Sequence, residues 1–247
     1  MHFFESFTAL QIGVAVAATF AAAFIRGLTG FGFGILLVPI LALALTPVEA
    51  VLALNVMAGL LALTEIRYVL REAERSALTI SALLLVTTLP GLLLLSALST
   101  GVARLLIALV ALSAFFAILL PRRSAMAPGH MTTAMVGLSA GVLTGFAAMP
   151  GPPVVPYYVG RDIPRSTAKA SMIGIFGVAS AAGLTSGAVS GLLEWQIVAL
   201  GLALFPLVLF GNWIGSKAFG KVSDPVWRAI VGGVLGAAAI AALVKLL

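Results

Sequence analysis

The sequence predicts an all-α polytopic membrane protein of two five-segment repeats with inverted topology, whose second and seventh segments are short and broken. Three observations lead there. Hydrophobic residues make up 62% of the 247 and charged residues 9%, with a mean hydropathy of +1.19, outside the range of water-soluble domains. Two glycine- and proline-broken stretches recur at a single offset. The first reads Gly30-Phe-Gly-Phe-Gly34-Ile-Leu-Leu-Val-Pro39 with Thr46-Pro47, and the second Met149-Pro-Gly151-Pro-Pro-Val-Val-Pro156 with Ile163-Pro164. Gly34 and Gly151, Pro39 and Pro156, and Pro47 and Pro164 are each 117 positions apart, with no gap. The third observation is that basic residues gather at alternate segment ends.

Apolar runs, most of them near the roughly 20 residues that cross ~30 Å of hydrocarbon, give ten segments. Phe7–Ile25 comes first. Met1 to Thr8 carries Glu5 but no Lys or Arg, so the segment lacks the positive region of a cleavable signal. Phe31–Leu45 holds the first break and is short for a straight crossing. Val48–Ile66, Ala77–Leu98 and Val102–Leu120 complete the first half. The second half runs through Thr132–Ala148, the short and broken Pro152–Gly160, Ser166–Leu192, Trp195–Ser216 and Pro225–Leu247. The longest polar stretches, Arg67 to Ser76 and Pro121 to Thr133, read as loops. Residues 1–120 form the first repeat, 121–131 a connecting loop and 132–247 the second repeat of one membrane domain.

If every segment crosses, twelve of the fourteen basic residues fall on one side, and only Arg104 and Lys245 on the other. If the two short segments dip in and return, the division is eight against six. The positive-inside bias therefore favours ten crossings with both termini outside the cytoplasm. Five crossings per half is an odd number, so the halves are opposed and their breaks approach from opposite faces. Eight crossings, as two parallel four-helix repeats, is the alternative.

Paired interrupted segments at matching places in two halves point to a transporter's binding site. Glycine permits close backbone approach and positive φ, and proline stops a regular helix. A half-helix starting after Gly34 or Gly151 would aim free N–H groups and its dipole at a small anion. The substrate-contact candidates are Gly30, Gly32, Gly34, Gly151, Pro152 and Pro153, with Asn55, Tyr157 and Ser171 as nearby hydrogen-bonding groups. Arg26 and Lys169, beside the two breaks, either attract the anion or snorkel from helix ends. The plainer reading of the glycines and prolines is tight turns and close packing. Two breaks in register favour the functional one.

Other patterns carry no chemistry. Gly137, Gly141 and Gly145, and again Gly183, Gly187 and Gly191, are small-residue ladders that let helices approach. Gly215-Ser-Lys-Ala-Phe-Gly-Lys221 resembles a phosphate loop, but Val222 replaces the hydroxyl residue and the run ends a helix. The eight carboxylates lie at or near segment ends, so no mid-membrane proton relay is legible. There is no cysteine, no H-E-x-x-H, no acidic metal cluster and no G-x-S-x-G elbow, so no metal, cofactor or enzymatic activity is expected. The net charge of +6 comes from single or paired residues at segment ends, which is topology selection and not nucleic-acid binding. The expected partners are a small anion and the bilayer; a homodimer and coupling to protons or other ions are left open.

At the same residues the chain resembles the sulfite exporter TauE/SafE family. The likeness lies in Gly30-Phe-Gly-Phe-Gly34, Val38-Pro39, Pro47 and the Ala50 to Asn55 run. It continues in Gly151-Pro-Pro-Val-Val-Pro-Tyr-Tyr158 and Ile163-Pro-Arg-Ser-Thr-Ala-Lys-Ala-Ser171, like the family's Gly-Pro-Pro variant. Phe31 and Phe33 stand where many members have a run of glycines. The resemblance implies an inner-membrane permease that moves small sulfur-containing anions, such as sulfite or organosulfonates, outward. A passive anion channel, or an importer of another small organic anion, is the alternative.

Overall fold

A computed structural model describes residues 8–29, 32–119, 129–159 and 161–217, together with Ile240 and Val244. Ten helices and no strand lie among the described residues. They are α1 (Ala9–Thr29), α2 (Phe33–Ala44), α3 (Pro47–Thr64), α4 (Ile66–Glu72), α5 (Arg75–Ala97), α6 (Thr100–Leu119), α7 (His130–Ala147), α8 (Gly151–Val159), α9 (Arg165–Val189) and α10 (Trp195–Lys217). The first nine expected segments each become a helix, with ends shifted by a few residues. The tenth, Pro225–Leu247, lies outside the described residues apart from Ile240 and Val244, as do Gly30 and most of the 121–131 connection.

Two expectations change. The stretch from Arg67, read as a loop, is helical from Ile66 to Glu72, with no buried residue. Two turns are too few for periodicity to register. Arg26, just past the expected end of the first segment at Ile25, lies in the last turn of α1, which runs on to Thr29.

Helix lengths match the reading of a membrane protein. Pro47–Thr64, Arg75–Ala97, Ser166–Val189 and Trp195–Lys217 are long and apolar enough to cross a bilayer. The twelve-residue α2 spans only about 18 Å at 1.5 Å per residue. Thr46 starts α3 with a reciprocal cap: its hydroxyl accepts from Glu49 N at 3.3 Å, and Glu49 Oε2 accepts from Thr46 N at 2.7 Å. Along α5, Ile80, Leu84, Leu92 and Leu95 are buried while Leu78, Leu85, Val86, Leu93 and Leu94 are exposed. Such an outward face is compatible with lipid rather than water.

Glycine sets the tightest helix contacts. A Cβ on Gly141 or Gly145 would overlap the carbonyls of Leu84 or Thr88, so α7 and α5 pack backbone to backbone. Gly215 meets Phe24 in the same way, and a Cβ on Gly211 would lie 2.9 Å from Phe20 O, so α10 lies as closely on α1. In both pairs the contacting positions rise together along the chain, so α5 and α7 run parallel, as do α1 and α10. The central helices α3 and α9 pack on each other, with Gly183 and Gly187 of α9 against Asn55 and Leu52. Gly191 leaves its ladder: it sits at φ +70° in the turn after α9, with nothing to pack against.

Polar contacts fix which helix ends lie together. Gln11, near the start of α1, donates from Nε2 to Ala44 O at 2.7 Å, so α2 ends beside the start of α1. Tyr157 in α8 shares a 2.9 Å hydrogen bond with Thr133 at the start of α7, so α8 ends beside the start of α7. Arg26 reaches Glu65 and Asn212, which brings together the ends of α1 and α3 and the C-terminal part of α10. Tyr68 of α4 donates its hydroxyl to Ser166 O at 2.8 Å, and Glu74 N donates to Ser171 Oγ at 3.0 Å. Tyr158 shares a 2.7 Å hydrogen bond with Ser76. The starts of α5, α7 and α9 therefore lie on the side where α1 and α3 end.

Candidate functional site

The two breaks meet around a cavity of about 90 Å³. Gly32, Phe33, Gly34 and Ile35, at the start of α2, form one wall. Ala148, Met149, Pro150 and Gly151, at the turn from α7 into α8, form another. The rest comes from α3 and α9, with Val155 of α8 and Arg26 of α1.

Local sequence explains both breaks. Gly32 precedes α2 at φ 94°, a left-handed conformation that glycine adopts without the steric cost of a Cβ. The second turn uses Ala148 at φ 51°, followed by Pro150, which cannot extend α7. Met149 N and Ala148 N fold back onto Leu143 O and Thr144 O, closing α7 before the chain enters α8. The expected half-helix starts shift slightly: α2 begins at Phe33 and α8 at Gly151 itself. Gly34 is a contact residue with no positive φ; a Cβ there would stand 2.7 Å from Ala148 O. The first break thus rests directly on the second.

Both helix N-termini border the cavity, where the first-turn N–H groups of a helix have no partner within it. Asn55 adds a polar side chain to the wall. It is 2% exposed, and its Nδ2 has no hydrogen-bond partner among the described residues. An amide left without a partner costs about 1–3 kcal/mol, and this one packs against Gly183 of α9, which is not part of the lining. Ser180 also lines the wall, but its hydroxyl donates to Phe176 O at 2.9 Å. The remaining lining is largely Leu, Ile, Phe and Ala, a low-dielectric surround in which each polar group acts at longer range.

Among the described residues of this lining, Arg26 is the one cationic side chain. Its Nη1 donates to Asn212 Oδ1 at 2.9 Å and its Nη2 to Glu65 Oε2 at 2.9 Å, with side-chain exposures of 15% for Arg26 and 27% for Glu65. Tyr68 lies near this pair. Burial first, then the carboxylates of Glu72 and Glu65, push its phenol above the usual value, so it stays protonated as the donor to Ser166.

A cation holds the C-terminal end of α2. Arg104 of α6 donates from Nε to Ala42 O, and from Nη2 to Leu45 O at 3.3 Å, taking carbonyls that α2 leaves unpaired. Beyond α8, Arg161 lies 5.2 Å from the Tyr157 ring centre and 5.8 Å from that of Tyr158, and its Nη1 pairs with Glu74.

Of the sequence candidates, Gly32, Gly34, Asn55, Gly151 and Arg26 line the cavity. Gly30 lies outside the described residues. Pro152 and Pro153 are half-buried in the first turn of α8 and do not reach the lining. Tyr157 is engaged with Thr133, and Ser171 accepts from Glu74 N. Lys169 is exposed, with Nζ 6.0 Å from the Tyr68 ring centre. Sequence reasoning missed Ser180 and Phe176 in the lining, and Glu65 and Asn212 behind Arg26. No spacing pattern links those last residues to the breaks.

A chain whose described elements are all helices, several of them apolar and of bilayer length, folded around a small cavity between two interrupted ones, is a multi-pass membrane protein. It belongs to the sulfite exporter TauE/SafE family, whose sequence model matches residues 15–242. Membership makes it a membrane transporter of sulfite-type anions, so its partners are a small anionic substrate and the lipid bilayer. No curated protein and no solved structure matches the chain.

Proposed function

We propose that the protein is an inner-membrane secondary transporter that exports small sulfur-containing anions, sulfite or an organosulfonate, and binds them in the cavity between the two breaks. The observation that carries this reading is a single cavity bordered by the N-termini of α2 and α8, with Asn55 in its wall. Sulfite and sulfonates present acceptor oxygens, and that wall offers donors. The mostly apolar lining fits a small bound solute better than a continuous aqueous pore, which favours a carrier over a passive channel or an enzyme.

The same proposal takes the architecture as two five-segment repeats of inverted topology, residues 1–120 and 132–247 joined by 121–131, with both termini outside the cytoplasm. Matching contacts support it: α1 packs on α10 as α7 packs on α5, and α3 lies on α10 as α9 lies on α5. In each half the short helix ends beside the start of its first helix, at Gln11–Ala44 and at Tyr157–Thr133. A re-entrant second segment would place the ends of α1 and α3 on opposite sides, whereas Arg26 and Glu65 bring them together.

The test is flux in proteoliposomes against a panel of sulfite, alkanesulfonates, thiosulfate and carboxylates, with and without a pH gradient, using the wild type and Asn55→Ala. Sulfite or sulfonate flux should exceed carboxylate flux, and Asn55→Ala should lower substrate affinity by about tenfold. Unchanged affinity in Asn55→Ala would remove the cavity from the mechanism, and equal flux of every anion would remove the substrate assignment.

A further inference from the structure

The cavity's cation is already engaged by a carboxylate of the protein itself. Arg26 lines the cavity, and Glu65, outside that lining, accepts from its Nη2. At 2.9 Å the pair is an ion pair, and both side chains are largely shielded from solvent. A guanidinium so neutralised exerts little net field on a second anion, while a bare one in a low-dielectric wall exerts a large one. We propose that Glu65 is a built-in competitor of the transported anion for Arg26: the anion takes the guanidinium by displacing the Glu65 carboxylate. This rests on the reading of the cavity as the anion site.

Three features fit a displaceable partner better than a permanent staple. Glu65 uses one oxygen on one guanidinium nitrogen, so the pair lacks the two-pronged geometry of the strongest Arg–carboxylate contacts. Its backbone lies at the junction between α3 and α4, outside both helices, where a small rotation moves the side chain. Asn212 holds the other guanidinium nitrogen through a neutral amide oxygen. It therefore keeps Arg26 in place without offsetting its charge as the carboxylate leaves. The competition lowers resting affinity, which a transporter needs in order to release what it binds. It also ties occupancy to the contact between α1 and the α3–α4 junction.

The experiment measures binding of methanesulfonate, whose single negative charge does not titrate near neutral pH, to the purified full chain in lipid nanodiscs by calorimetry. Glu65→Gln removes the competitor and should tighten binding about tenfold. Glu65→Asp keeps the charge but retracts it by one methylene, and should tighten binding less. Arg26→Gln should weaken binding, and in Arg26→Gln/Glu65→Gln the gain from Glu65→Gln should vanish, a non-additivity that marks shared action on one group. A purely structural ion pair predicts unchanged or weaker binding in both Glu65 variants. That outcome, with Arg26→Gln still impaired, would overturn the competition and leave the cavity reading standing. Normal binding in Arg26→Gln and Asn55→Ala together would instead overturn the cavity reading on which the competition depends.

Discussion

Gly34→Ala isolates the contact that seats one break on the other. The added Cβ would lie 2.7 Å from Ala148 O, a backbone atom that cannot rotate away as a side-chain tip would. Ordinary carbon–oxygen contact begins several tenths of an ångström further out, so either the start of α2 or the α7–α8 turn has to move by about that much. Ala148 already holds φ 51°, so the turn has little spare freedom. Overpacking of this kind costs about 1–3 kcal/mol. At Gly151 an added Cβ would meet only Val155 Cγ2 at 3.8 Å and Phe176 Cζ at 4.0 Å, so Gly151→Ala is the matched variant without a clash. The assay pairs thermal unfolding in detergent with sulfite flux in proteoliposomes. Gly34→Ala should lose both stability and flux, while Gly151→Ala should stay as stable as the wild type. Wild-type stability and flux in Gly34→Ala would refute the idea that the breaks are held by direct backbone contact.

Replacing Arg104 with Gln removes a charged donor from Ala42 O and Leu45 O; the loss should be about 1.5–3 kcal/mol of stability, measured by denaturant unfolding, with Arg104→Lys intermediate. Gly145→Ala sets a Cβ into the Thr88 carbonyl, and should reduce the yield of folded protein on size-exclusion chromatography far more than Ala or Gly changes on the lipid face. Since the chain has no cysteine, single cysteines at exposed His130 and Trp195 can be labelled without background. A membrane-impermeant maleimide should reach the two from opposite sides of the bilayer, and labelling from the same side would refute the ten-crossing arrangement.

The short helices and the cavity between them were legible because each break is written locally. Gly32 and Gly34 ahead of an apolar run, and Pro150-Gly151-Pro152 ahead of another, are backbone instructions that need no knowledge of distant residues. Asn55 was legible for a related reason: a lone amide within Ala50 to Met57 has to find a partner or a function. Tyr157, Ser171 and Lys169 show where that logic ends. Each is near the second break in sequence, but successive helical residues turn by 100°, so proximity along the chain does not set facing. Tyr157 and Ser171 face other helices and Lys169 faces outward. The Arg26 contacts were illegible in principle. They span 39 and 186 residues, and only the packing of α10 on α1 and the return of the chain through α2 bring them together.

The charge arrangement around the cavity accounts for how a site can attract an anion and still release it. An uncompensated helix carries roughly half a positive charge at its N-terminus and half a negative charge at its C-terminus. In α2 the C-terminal carbonyls of Ala42 and Leu45 accept from Arg104, and that of Ala44 accepts from Gln11. Beyond α8, Arg161 lies against Tyr157 and Tyr158. The negative end of α2 is thus offset by Arg104, and the positive ends of both short helices remain at the cavity. What they offer is a set of oriented dipoles without a net charge, and the one full charge among the described lining residues, on Arg26, is matched by Glu65. A permanent bare cation in an apolar wall would hold an anion so firmly that release would become the slow step. Partial charges fixed in the backbone, with a guanidinium shared between the protein's own carboxylate and the substrate, keep the well shallow enough for the anion to leave.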